Sequence, residues 1–169
     1  AKDMINDLGC NVYKWFMLSS HYRNPLNLTD AVLNNVKKEV AKVDNVVKTV
    51  SLYLQVNGLD GNEYCKETVD VMVDALEDDL NTSLALTQIL NQVKVLNQLM
   101  RVKEKDDESI LMNYNTLMKM VTVMGFVYQP HQLSLDELEL YKKWLEAKEV
   151  KNFDIADKLR SELISKGIL

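Results

Sequence analysis

Leu33, Val36, Val40, Val43, Val47, Val50 and Leu54 recur at alternating steps of three and four residues, and that spacing predicts one long helix over 29–56. A stripe of this kind holds one face for about eight turns of a 3.6-residue helix. Five of its seven members are valine, whose helix propensity is weak, so the helix depends on packing rather than on intrinsic preference. Gly58 and the Gly61-Asn62 pair end the stripe, and Asn27 or Thr29 is placed to cap its start.

The same spacing returns along the chain. Val69, Met72, Val73, Leu76 and Leu80 predict a helix over about 63–79, ended or kinked in Glu77-Asp78-Asp79-Leu80-Asn81-Thr82. Leu86, Ile89, Val93, Leu96 and Met100 mark the next helix, and Ile110, Tyr114, Leu117, Val121 and Met124 another, closed by Gly125. Upstream of the long helix, residues 1–8 form a short helical pattern broken at Gly9. Asn11 can cap a second one carrying Val12, Trp15, Phe16 and Leu18. Downstream, Ser134 and Glu137 have the spacing of a capping box, followed by Leu138, Tyr141 and Leu145. The pattern resets near Asn152, and Phe153, Ile155, Ala156, Leu159 and Leu163 define a last helix ending at Gly167. The expected class is therefore all-α, an antiparallel helical bundle preceded by short helices and followed by a helical hairpin. Its expected parts are a junction segment over 1–28, a bundle over 29–126 and a terminal hairpin over 134–169. The eight methionines, mostly at stripe positions, read as core filler.

Composition narrows the class without changing it. At 169 residues, with 47% apolar and 27% charged residues and only two prolines, the chain can bury a real core. Cys10 and Cys65 form no metal-binding or disulfide framework, which fits a reducing cytoplasm. Every apolar stretch is interrupted by charge, so no membrane partner is expected. The start, inside a helical pattern and without methionine, reads as a piece of a longer protein. A net charge of −5 argues against a protein whose whole surface tracks phosphate. The acid is concentrated, however: residues 60–80 carry one basic against eight acidic side chains, while both ends of the chain have a basic excess.

Familiar catalytic patterns are missing. His21 and His131 are the two histidines, and neither lies in a helical metal-binding spacing. No glycine-rich phosphate loop or nucleophile elbow is present. Glu77, Asp78 and Asp79 could pair or ligate magnesium, or could simply stop one helix and start the next. His21-Tyr22-Arg23-Asn24 sets an aromatic, a permanent cation and two hydrogen-bonding side chains on a forced turn before Pro25. These side-chain types engage RNA, and they could equally pin the turn to the bundle. Lys142, Lys143, Lys148, Lys151, Lys158 and Arg160 could face phosphates, yet Glu146, Glu149, Asp154 and Asp157 between them equally suit a solvated, salt-bridged face.

Three stretches taken together resemble cysteinyl-tRNA synthetase in the region after its catalytic domain. They are residues 15–27, Trp15 through Asn27, similar to the segment following the family's Lys-Met-Ser-Lys-Ser signature; residues 76–86, Leu76 through Leu86, similar to its acidic helix junction; and residues 147–160 with Gly167-Ile168, similar to its terminal hairpin. Their order and spacing agree along the whole chain.

The resemblance implies a helical region that contacts tRNA-Cys and packs on a catalytic domain that is not in these residues. It implies a cytoplasmic class I ligase as parent, with ATP, magnesium and zinc used in that catalytic domain and no cofactor or catalytic residue here. His21, Tyr22, Arg23, Asn24, Lys148, Lys151 and Arg160 are the expected tRNA-binding residues. Two rivals remain, a free-standing helical adaptor that holds a partner helix in a Met/Val-lined groove, and a regulatory homologue that kept the bundle and lost catalysis.

Overall fold

A computed structural model describes residues 2–169, with side chains from Ile5 onward; Ala1, at the head of the expected first helix, lies outside the described residues. The described residues form eight helices: α1 (Lys2–Leu8), α2 (Cys10–Leu18), α3 (Asp30–Val56), α4 (Lys66–Glu77), α5 (Thr82–Arg101), α6 (Asp107–Val123), α7 (Leu135–Glu149) and α8 (Phe153–Ser165). No strand occurs among them. The chain divides into two units, one of residues 1–50 and 61–128, the other of residues 51–60 and 129–169. The long helix α3 therefore contributes to both.

In the first unit the valine stripe is buried as the spacing requires: Val36, Val40, Val43, Val47 and Val50 are all inside, and Leu33 is half-buried. Thr29 is the cap, its hydroxyl accepting from Val32 N–H at 3.3 Å. Val32 and Val36 share a groove with Leu86 and Leu90, while Val46 and Val50 share another with Leu96 and Met100. Both helices advance together along those grooves, so α3 and α5 run parallel. Met72, Ile89, Leu96, Ile110, Leu117 and Met120 fill the interior that α4, α5 and α6 close around. Trp15 is fully buried, its ring tilted 37° against that of Phe126 with centroids 5.2 Å apart, and its indole N–H donates to Glu39 at 2.8 Å.

Buried polar groups fix the register. Gln92 Nε2 donates to the backbone and side-chain oxygens of Asn113 at 3.0 and 2.9 Å, which ties α5 to α6. The Thr116 hydroxyl accepts the Cys65 N–H at 2.9 Å at the start of α4. Each satisfied pair favours one alignment of its helices, because slipping it would strand a buried donor.

Several details differ from the expectation. Asn11 does not cap α2, which begins at Cys10 after Gly9; its amide instead pairs with both backbone groups of Val127, at 2.9 and 3.1 Å. The α4 helix stops at Glu77, so Leu80 leaves the stripe and is exposed. Met72, Met120 and Met124 are core residues, but Met17 and Met112 are exposed.

The second unit has its own small core of Leu52, Leu163 and Ile168, covered by Leu133, Leu140, Tyr141 and Trp144. Ser134 and Glu137 form the capping box in full. Gln55 on α3 holds the approach to α7, donating to the His131 carbonyl at 3.0 Å and accepting from Leu133 N–H at 2.8 Å.

Candidate nucleic-acid interface

Residues 21–24 make a turn, with Asn24 N–H donating to the His21 carbonyl at 2.8 Å. The turn presents its side chains to the α4–α5 connection. There Asp78 caps the end of α4, Asn81 caps α5 by accepting from Leu84 N–H at 3.1 Å, and Asp79 and Leu80 between them stand at φ 53° and 54°. Two consecutive non-glycine residues with positive φ make a tight, strained reversal. It carries the Asp79 carboxylate to the 21–24 turn.

Three of the four expected residues converge on Asp79, two on its carboxylate and one on its backbone carbonyl. The Tyr22 hydroxyl donates to Asp79 Oδ1 at 2.8 Å, and Arg23 Nη2 donates to the same oxygen at 3.1 Å. Arg23 Nε donates to the Tyr22 hydroxyl at 2.9 Å. His21 Nε2 lies 3.1 Å from the Asp79 carbonyl, and its ring stacks on Tyr22 at 4.7 Å. Donating to Asp79 holds the Tyr22 phenol above its ordinary pKa of 10.0, with Arg23 opposing the shift. Tyr22 and Arg23 nevertheless remain 59% and 66% exposed, pinned without being buried. Asn24 is exposed beside them, outside the Asp79 cluster.

Lys148, Lys151 and Arg160 belong to the second unit. Lys148 in the last turn of α7 lies 4.4 Å over the Trp144 ring, a cation–π contact. Lys151 is the middle one of the three residues between α7 and α8, at φ 56°. Arg160 is exposed in mid-α8, on the face it shares with Phe153 seven residues earlier. Among the described residues no acid lies within ion-pair distance of Lys148, Lys151, Lys158 or Arg160. The salt-bridged face that their acidic neighbours suggested is realised further up α7, where Lys143 meets Glu139 at 2.7 Å.

Asp79, Phe153 and Ile155 are candidates for the interface that spacing alone did not single out. Asp79 suited a carboxylate pair, a magnesium ligand or a helix stop, and only the fold brings residues 21–23 to it. Phe153 and Ile155 looked like core positions of α8, yet they are 69% and 49% exposed, next to an equally exposed Val150. Both open α8 just past the short connection of residues 150–152, and that position at a helix start was the available signal. Among the described residues no three His, Cys, Asp or Glu side chains gather to hold a metal, and the Glu77–Asp79 run is no exception.

Residues 72–129, from the middle of α4 to just past α6, match the DALR domain family. Among curated relatives, the cysteine–tRNA ligase of Mycoplasma mycoides is 30% identical over 176 aligned positions that cover 100% of this chain and 38% of the relative. The ligase of Mesoplasma florum is 29% identical, covering 94% of this chain and 36% of its own length. That of Halalkalibacterium halodurans is 28% identical, covering 100% and 38%. The chain thus spans a little over a third of the length of these relatives. The DALR match lies within a likeness to cysteine–tRNA ligases that runs along all of these residues.

Proposed function

We propose that this chain is the tRNA-positioning region of a cysteine–tRNA ligase, whose complete protein joins cysteine to tRNA-Cys at the expense of ATP. The observation that carries the reading is a likeness to such ligases over the whole chain, centred on a DALR domain. A free-standing adaptor draws no support from a likeness of that extent. ATP, magnesium and zinc belong in this reading to the catalytic part of the cytoplasmic enzyme. The parts of these residues that pack on the catalytic domain belong to the same proposal.

The work done by these helices is geometric. Holding a tRNA in one orientation converts part of the entropy of meeting the active site into binding that has already been made. Arg23 and Asn24 at the junction turn, with His21 and Tyr22 supporting them, suit contact with an RNA backbone. At the α7–α8 connection, Lys148, Lys151 and Arg160 offer cations, and exposed Phe153 offers a face on which an unpaired base can stack. A chain of net charge −5 gains from such local contacts rather than from a broad positive field.

Arg23→Ala in the complete ligase tests the junction assignment. The expected result is a loss of tRNA-Cys affinity of roughly threefold to tenfold, with cysteine activation by ATP unchanged. Unaltered tRNA affinity and aminoacylation would remove Arg23 from the interface.

A further inference from the structure

The junction cluster has a feature that pinning alone does not require. Arg23 spends Nε on the Tyr22 hydroxyl and one Nη2 hydrogen on Asp79 Oδ1, and the Tyr22 hydroxyl donates to that same oxygen, closing a ring of three groups. The inner edge of the guanidinium is therefore occupied. Its outer edge, Nη1 with the second Nη2 hydrogen, has no partner among the described residues, on a side chain that is 66% exposed. Such an edge matches two oxygens of a phosphate in a fixed fork.

The partner that orients it sits on strained backbone. Asp79 and Leu80 both adopt positive φ, which persists in side-chain-bearing residues only where surrounding contacts over-determine it. Here the contacts are with a segment 57 residues away in sequence. Glu77 and Asp78 are exposed alongside, so an untethered Arg23 would have competing carboxylates to fold onto. The Tyr22 ring under the guanidinium, 5.3 Å from it, and the hydroxyl bridge restrict that swing.

We propose that Asp79 is a positioning residue, whose carboxylate, bridged by the Tyr22 hydroxyl, holds Arg23 in the one orientation that offers its outer edge to an RNA phosphate. This inference rests on the reading of the junction as a tRNA contact and deepens it.

The test measures binding of a tRNA-Cys transcript to the full-length protein that carries these residues, across a series of salt concentrations. Arg23→Ala is expected to weaken binding and to make the slope of log affinity against log salt shallower by about 0.7 to 0.9, the signature of one lost phosphate contact. Asp79→Asn is expected to reproduce both effects, at roughly threefold to tenfold in affinity, and the double variant to bind no more weakly than Arg23→Ala alone. Asparagine stands readily at positive φ, so this substitution preserves the turn while removing the charge. Tyr22→Phe, at an exposed position outside the Asp79–Leu80 reversal, should give the same loss in smaller measure.

Tighter binding by Asp79→Asn while Arg23→Ala binds more weakly would show that the carboxylate screens the arginine, and would overturn this inference alone. Full additivity in the double variant would do the same. A normal affinity and slope for Arg23→Ala would overturn the tRNA reading of the junction and this inference with it.

Discussion

Lys151 at the α7–α8 connection holds a backbone conformation that costs stability. Its backbone stands at φ 56°, where Lys151 N–H donates to the Lys148 carbonyl at 3.1 Å and Asn152 N–H to the Ala147 carbonyl at 2.9 Å. That pair of bonds is the helix-ending arrangement which glycine usually completes, and Gly125 and Gly167 do so elsewhere in the chain at φ 76° and 72°. A lysine there carries a steric cost of about 1 kcal/mol that glycine avoids. Lys151→Gly should raise the denaturation midpoint of the hairpin by a gain of that order and, in the proposed function, weaken tRNA binding. An unchanged or lowered midpoint would show that the lysine side chain stabilises the turn. The sequence offered Lys151 as a cation but gave no warning of its backbone, because positive φ is legible only where glycine or asparagine marks it. Asp79 and Leu80 were opaque for the same reason, and for a second: the partners of Asp79 are 56 to 58 residues distant.

Elements that depend on near neighbours were far more readable. The valine stripe of α3 and the Ser134–Glu137 box act within a few residues, so spacing was enough to place them, and it also put helix boundaries near Asn81 and Asn152, which the fold uses as caps. Asn11, equally plausible as a cap, was claimed by Val127 from 116 residues away, and the helix start moved to Gly9–Cys10. The capping box also makes an element-level prediction. The Ser134 N–H donates to Glu137 at 2.9 Å and, with His131 at 3.0 Å as a second partner, holds the Glu137 carboxyl below its ordinary 4.5. A depressed folded pKa means stability that is fully present above the unfolded value and is lost as pH falls through the folded one. The α7 start should therefore loosen below about pH 4.5. Ser134→Ala should remove about 1 kcal/mol of hairpin stability at neutral pH, since the Glu137 N–H then loses its acceptor. Glu137→Gln should retain much of the cap while abolishing that acid step, and hydrogen exchange at the first turn of α7 against pH would register both. An acid step that persisted in Glu137→Gln would place its origin in another group.

At the scale of the whole molecule, α3 is one continuous helix shared by two units with separate cores. Up to Val50 its buried face belongs with Trp15, Ile89, Leu96 and Leu117; from Ser51 its residues belong with the hairpin, where Leu52 joins Leu163 and Ile168. A core cluster of three buried apolar residues has little reserve, and small units bury a smaller fraction of their surface than large ones. Leu52 is 5% exposed, so Leu52→Ala removes a side chain whose loss costs about 2 to 5 kcal/mol in a closed core. Because that cost falls on one unit, hydrogen exchange should show amides of α7 and α8 losing protection while those of α5 and α6 keep theirs, which is local opening rather than global unfolding. An equal loss across all four helices would mean that the two units unfold as one. The distinction bears on function, since in the proposed ligase a hairpin that opens independently would weaken contacts made by Lys148, Lys151 and Phe153 and leave the Arg23–Asp79 cluster in place. Leu52→Ala and Asp79→Asn should then lower tRNA affinity by factors that multiply, as independent sites require.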